Sequence, residues 1–293
     1  MRSFSGSRPP LVRELALSSA RSTAVTVAQI LEAVETLWPL SGAESWDTPG
    51  LQLGSRRQNV SLVLLAVDVT PAVIREARAL NADLIVCHHP MFLRGLTHVT
   101  DDSDRGAILS SSLAAGIAVV AAHTNADVVT DGVSDVLANA LGLQSVTPLV
   151  PGATQETGLG RRGELSEPTT LEELAVRLSE VLPGTVSGIR VSGSPDAIIR
   201  NVALCGGAGD SLLTNDLVAT ADVFITSDLR HHPALDASVR ASLGFGPHLI
   251  DISHWASESL WLAVAASQLS REVPECDYVV SSVRTDPWSF SVA

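Results

Sequence analysis

At 293 residues the chain is long enough for one large or two modest α/β domains, and 45% hydrophobic with 17% charged residues excludes wholesale disorder. A formal net charge of -13, with no basic stripe to offset it, argues against binding a nucleic-acid polymer, which relies on Lys and Arg neutralising phosphates. No segment approaches the ~20 consecutive apolar residues that a membrane-spanning helix needs.

Residues 1–25 are rich in Arg and Ser with Glu14 as the lone acid, and are expected to form a disordered N-terminal extension. An organelle transit peptide is the other reading of that composition. Thr26 with Gln29 resembles a capping box for a helix that Pro39 stops. The stretch Trp46 to Gly54 follows as a loop with strong turn chemistry.

A strand–helix rhythm then begins. Leu62–Val69, Leu84–Cys87 and Ile117–Ala122 read as buried strands, with helices over Pro71–Leu80, Arg105–Ala115 and Asp131–Leu141, the last closed by Gly142. Continuous apolar strands alternating with helices predict an α/β fold with mainly parallel sheets covered on both faces. Residues 151–200 are turn-rich and read as a connector with edge strands, holding a helix capped by Thr170 and Glu173 and a short strand near Ile189–Val191. The rhythm resumes at Val202–Cys205, Val223–Thr226 and Leu249–Ile252, with a helix from His254 to about Leu269 and a closing strand at Tyr278–Val283. The expected organisation is therefore two similar α/β lobes, 26–150 and 201–293, joined by that connector.

Ligands of parallel α/β sheets bind beyond the carboxyl ends of the strands. There this chain carries Asp68, His88 with His89, His123 with Asp127, Asp228, and Asp251 with His254. Adjacent side chains in an extended segment diverge, so His88 and His89 are expected to reach toward two different ions. His254 and Glu258, spaced i and i+4, share one helical face, where a carboxylate can bridge two metals. Taken singly, each has an ordinary reading: a hydrogen-bonded histidine pair, a solvated helical pair, a turn or cap for Asp127. Their common position at one sheet edge favours metal ligation, and mixed imidazole and oxygen ligands suit zinc, manganese, iron, cobalt or nickel better than calcium.

The remaining motifs carry less. His231-His232-Pro233 reads as a solvated helix start, with a substrate-facing role as the alternative. Gly206–Gly209 fits either a phosphate cradle or a tight turn, without the GxGxxG spacing of a dinucleotide site. Cys87, Cys205 and Cys276 form no CxxC and fit buried hydrophobes in a reducing compartment, with a cytoplasmic location. All 19 basic residues are arginine, which removes Schiff-base chemistry and a Walker-type lysine.

The ordered set Trp46-Asp47-x-x-Gly50-Leu51 with Gly54, Asp83 to Pro90, His123 to Asp127 with Gly132, Gly158-x-Gly160-Arg161, Cys205-Gly206-Gly207-x-Gly209 and His254-x-x-Ser257-Glu258 resembles the NGG-interacting-factor-three-like family of dinuclear metal centre proteins. These are also called GTP cyclohydrolase 1 type 2 homologues, and the resemblance covers about residues 26–293. It implies metals held between two α/β lobes by His88, His89, Asp127, His254 and a bridging Glu258, with His123 as a further ligand or supporting group. It also implies a ring-shaped homohexamer. Ser227 and Ser253 stand where glycine is expected, and Ala126 replaces a larger apolar residue.

Two functions follow from the resemblance and the ligand set. One is a metal-dependent hydrolase acting on a nucleotide-like substrate, with GTP opened at its imidazole ring, His123 or Asp68 as proton carrier, and Arg94 and Arg161 available for phosphates. The other is a non-enzymatic metal-binding assembly for storage, delivery or regulation. A flavin- or nicotinamide-binding protein rests on the glycine-rich turn alone.

Overall fold

The computed structural model describes residues 24–292. Of the expected N-terminal extension only Ala24 and Val25 fall within it, and Val25 is buried. In chain order the first part comprises β1 (Val25–Thr26), α1 (Val27–Leu37), β2 (Gly50–Leu53), β3 (Asn59–Val60), β4 (Leu62–Ala66), α2 (Pro71–Leu80), β5 (Leu84–Cys87), α3 (Asp104–Ala114), β6 (Ala118–Ala121), α4 (Thr124–Asp127) and α5 (Val133–Ala140). The second comprises β7 (Gln144–Pro151), β8 (Gly158–Thr170), α6 (Leu171–Val181), β9 (Arg190–Ser192), β10 (Ile198–Ala208), α7 (Asp216–Ala219), β11 (Val223–Ser227), α8 (His231–Ser242), β12 (His248–Ile252), α9 (His254–Glu272) and β13 (Asp277–Val280).

The architecture is mixed α/β. One sheet has the order β13-β4-β5-β6-β2, parallel except where β2 joins β6. Its central strands show no polar alternation because both faces are covered. Val63, Leu65, Leu84, Val86, Ala118 and Val120 point toward α1 and α9, while Leu64, Ile85, Cys87 and Val119 point toward α2 and α3.

The other large sheet has the order β7-β8-β10-β11-β12-β9. Only β10, β11 and β12 run parallel; β7, β8 and β9 are antiparallel to their neighbours. Long α9 lies between the two sheets. Trp261, Leu262, Ala265 and Leu269 join the first core and Ala256 the second, so one helix ties both together. Full burial of a side chain such as Leu269 contributes about 1.5–3 kcal/mol, and Trp261 adds an edge-on contact to Trp38 at 5.0 Å between ring centroids.

Several expectations need correction. The C-terminal strand does not complete the second half: β13 pairs with β4, from Asp277↔Leu62 to Val280↔Leu65, so the first sheet draws on both ends of the chain. An apolar strand offers hydrogen bonds to either sheet, and packing against α9 selects β4 for it. The interval read as a connector with edge strands does supply the edge strand β9, but its β8 lies inside the second sheet, between β7 and β10. The charged sequence of β8, GLGRRGELSEPTT, hides a strand whose order comes from pairing on both sides. The Trp46–Gly54 loop contains β2, an antiparallel edge strand on β6.

Candidate metal centre

Strand ends and one helix start bring the ligand candidates together. His88 and His89 continue β5, with His88 N–H donating to Ala66 O at 3.0 Å and His89 N–H to Val67 O at 2.8 Å. His123 precedes α4 and Asp127 ends it. His254 and Glu258 occupy the first turns of α9, whose start Ser253 caps by accepting from the Ala256 N–H. Serine at 253 in place of glycine thus adds a helix cap.

Each imidazole is held by its Nδ1. His88 Nδ1 meets Ala122 O at 2.9 Å, and His89 Nδ1 meets Asp68 Oδ1 at 2.7 Å. His123 Nδ1 meets Asp47 Oδ1 at 2.9 Å, and His254 Nδ1 meets Asp228 Oδ2 at 2.7 Å. An imidazole that donates Nδ1–H to an oxygen keeps its Nε2 lone pair for a metal or a proton. Asp228 stands at a strand end and Asp47 in the Trp46 motif, but which histidine each carboxylate holds is visible only in three dimensions.

The Nε2 atoms of His88, His89 and His254 surround Glu258, which is buried. Glu258 Oε1 lies 2.8 Å from His254 Nε2 and 3.5 Å from His88 Nε2, while Oε2 lies 3.1 Å from His89 Nε2. His89 Nε2 and His254 Nε2 are 3.3 Å apart. Asp127 stands at the edge, its Oδ1 3.6 Å from His88 Nε2. Two groups have ligand atoms within 4.8 Å of one another and could hold a metal: His88 with His89 and His123, and His89 with His254 and Glu258. The adjacent histidines therefore do not serve wholly separate positions. His89 belongs to both groups, because Asp68 turns its ring toward Glu258.

The chemistry of these atoms fits a metal. His88 Nε2 is buried without a hydrogen-bond partner, and Glu258 Oε2 has only the poorly aligned 3.1 Å approach of His89 Nε2, an arrangement that a bound cation relieves. Gly207, at φ +69°, keeps space open beside them: a Cβ there would lie 2.6 Å from Glu258 Oε1 and 3.3 Å from His254 Nε2.

Electrostatics match the crowding. Burial disfavours the charged forms of His89 and His254, yet neighbouring carboxylates outweigh it and raise them to about 11 and about 10. His88 moves up despite burial, drawn by Glu258 and Asp127. Burial would raise Glu258, but His89 and His88 hold it well below its ordinary value. Burial lifts Asp127 to about 6. His123 moves down, through burial and the nearby His88.

Other candidates fall elsewhere. Arg161 is fully buried against Asp135, with further hydrogen bonds to the carbonyls of Gly158, Gly160 and Val129, so it has no freedom to bind phosphate. Arg94 is exposed. The Gly206 and Gly207 N–H groups donate to Ser134 Oγ and Ser257 Oγ and lie within β10, which leaves neither for a phosphate cradle. His231 and His232 are exposed at the start of α8. All three cysteines are buried, and burial with Asp127 and Glu258 nearby pushes the Cys205 thiol up to about 12, so thiolate ligation is disfavoured.

A cavity of about 870 Å³ opens on the cluster, lined by His89, His123, Asp127, His254 and Glu258 among others. A mixed α/β chain with imidazoles converging on a buried carboxylate beside such a cavity is, by class, a protein whose site could hold a metal. The chain belongs to the Duf34/NIF3 (NGG1p interacting factor 3) family, whose model matches residues 25–287. A "GTP cyclohydrolase 1 type 2 homolog" from Streptomyces coelicolor is 44% identical over 274 residues, covering 91% of this chain and 95% of its own. "Protein NIF3 homolog" from Schizosaccharomyces pombe is 32% identical over 89% of this chain and 96% of its own. The crystal structure of a Bacillus cereus protein related to NIF3 superposes with a TM-score of 0.83 at 26% identity, covering 92% of this chain and all of that one. Among the described residues no helix is long and apolar enough to cross a membrane.

Proposed function

We propose that this chain binds two divalent metal ions through His88, His89, Asp127, His254 and Glu258, and uses them to hydrolyse a nucleotide-like substrate. The observation that carries the reading is the shared orientation of His88, His89 and His254, each tied at Nδ1 and facing Glu258 with Nε2. Glu258 suits a bridging role because its two oxygens face different histidines.

Two bound divalent ions would supply an acidified water and a Lewis acid for the attacked group. Asp68 orients His89 and also accepts from Thr285 Oγ1, so both its oxygens are engaged. The proton carrier is then His123. Burial lowers its affinity for a proton, its Nδ1 is held by Asp47, and its Nε2 is left to accept. The cavity of about 870 Å³ supports catalysis over storage, since storage needs ligands and an exchange route but no chamber for a substrate. The resemblance adds a homohexamer to this reading, tested by light scattering on the purified chain, and the cysteine usage adds a cytoplasmic location.

Elemental analysis of the purified protein tests the metal centre: about two ions per chain are expected, collapsing in H88A. Steady-state turnover of GTP by the metal-loaded chain tests the reaction. Metal held with every nucleotide returned intact would leave a binding protein.

A further inference from the structure

The cavity wall holds an unusual pair outside the ligand cluster. Trp46 is 58% exposed yet lines the cavity, its ring edge-on to His123 at 5.8 Å between centroids. The two residues that follow it are pinned. Asp47 accepts from His123, from the Thr124 N–H and hydroxyl and from the Thr48 N–H, while Thr48 Oγ1 donates to Phe92 O at 2.5 Å. The indole is therefore presented to the cavity by the same carboxylate that orients His123.

Across the same segment stands Arg105. Its guanidinium donates to Met91 O at 2.7 Å and makes no ion pair among the described residues. It is the one arginine on a wall that otherwise carries Glu44, Asp68, Asp104, Asp127 and Glu258. With one N–H spent on Met91, the fork retains donors for an anion. The Phe92 N–H donates to Gln52 Oε1 at 3.2 Å, so the Trp46 loop and the Arg105 helix are tied to one short stretch, Met91–Phe92. Buried Met91, with Ile108 and Leu159, adds apolar wall.

We propose that Trp46 and Arg105 form a ligand subsite beside the metal centre, one that takes a planar heteroaromatic ring on the indole and an anionic group on the guanidinium. Inorganic phosphate would leave the indole idle, and a neutral ring would leave the guanidinium idle; a molecule carrying both uses the whole wall. The subsite rests on the hydrolytic reading for its purpose but not for its binding chemistry.

Equilibrium dialysis of the metal-loaded full chain against GMP, guanosine and ribose 5-phosphate separates the two contacts. W46A should weaken GMP and guanosine about tenfold and leave ribose 5-phosphate unchanged, and W46F should restore most of the loss. R105Q should weaken GMP and ribose 5-phosphate, again about tenfold, and spare guanosine. Metal content and melting temperature measured on the same samples exclude loss of the fold or the centre. Binding of GMP that neither variant changes, or loss of all three ligands alike in each, would overturn the subsite, and so would failure of the parent chain to bind any of them. A chain that binds GMP through Trp46 but never turns nucleotide over would sink the hydrolytic reading alone.

Discussion

Gly207 and Glu258 are in direct competition for space: a Cβ at 207 would stand 2.6 Å from Glu258 Oε1, on a backbone at φ +69° that side chains rarely adopt. Strand β10 thus comes close to α9 where the carboxylate needs room. G207A should lower metal content and cost about 1 kcal/mol or more in stability from the left-handed strain alone. Elemental analysis with a thermal melt checks both; full metal loading would show that Glu258 does not need this space.

Asp228 lies outside the proposed ligand set and acts on it through His254 Nδ1 at 2.7 Å. D228N preserves shape but weakens the acceptor, so metal affinity should fall about 10–100-fold with the fold intact. Competition against a calibrated chelator reads this directly. Unchanged affinity would mean that α9 alone aims His254.

Metal uptake should release protons. His89 and His254 have values raised to about 11 and about 10, and their Nε2 atoms lie 3.3 Å apart, so the pair holds a proton at pH 7 in the metal-free chain that must leave before both can ligate. Affinity should therefore rise with pH through the neutral range. The protonated pair's contribution to metal-free stability has the opposite sign. It is fully present below about 6.5, the ordinary histidine value, and lost as pH rises through about 10 to 11. Calorimetry in two buffers of different ionisation enthalpy measures the released protons, and a heat independent of buffer would contradict the assignment.

Arg161 was a phosphate candidate by sequence and is a structural residue by burial. Removing it leaves Asp135 without its cation and three carbonyls without a donor. R161A should cost about 3–5 kcal/mol, read by urea denaturation. A mild loss accompanied by weakened nucleotide binding would reverse that interpretation.

Local signals in the sequence were reliable where a few neighbouring residues decide the outcome. The Thr26–Gln29 and Thr170–Glu173 boxes cap α1 and α6, Pro71 opens α2, and Gly142 takes φ +70° just after α5. Strand β8 escaped notice because Arg161, Arg162, Glu164 and Glu167 interrupt any apolar pattern, and its order derives from β7 and β10 on either side. The Gly206–Gly209 motif was legible as a turn-like run, yet in the fold Gly207 gives clearance to Glu258, and the Gly206 and Gly207 N–H groups are spent on serine hydroxyls. Clearance is a property of what sits opposite, which no window of sequence contains.

By itself the chain's sequence determined the alternating strands and helices, the caps, and the placement of histidines at strand ends and on the leading turns of α9, all of which follow from side-chain periodicity and turn chemistry. Tertiary structure alone decided that β13 joins β4, that Asp47, Asp68 and Asp228 each claim one histidine, and that Arg161 is interred. Those are pairings between residues tens to hundreds of positions apart. Their energies depend on burial and on distances that exist only once both cores have closed around α9.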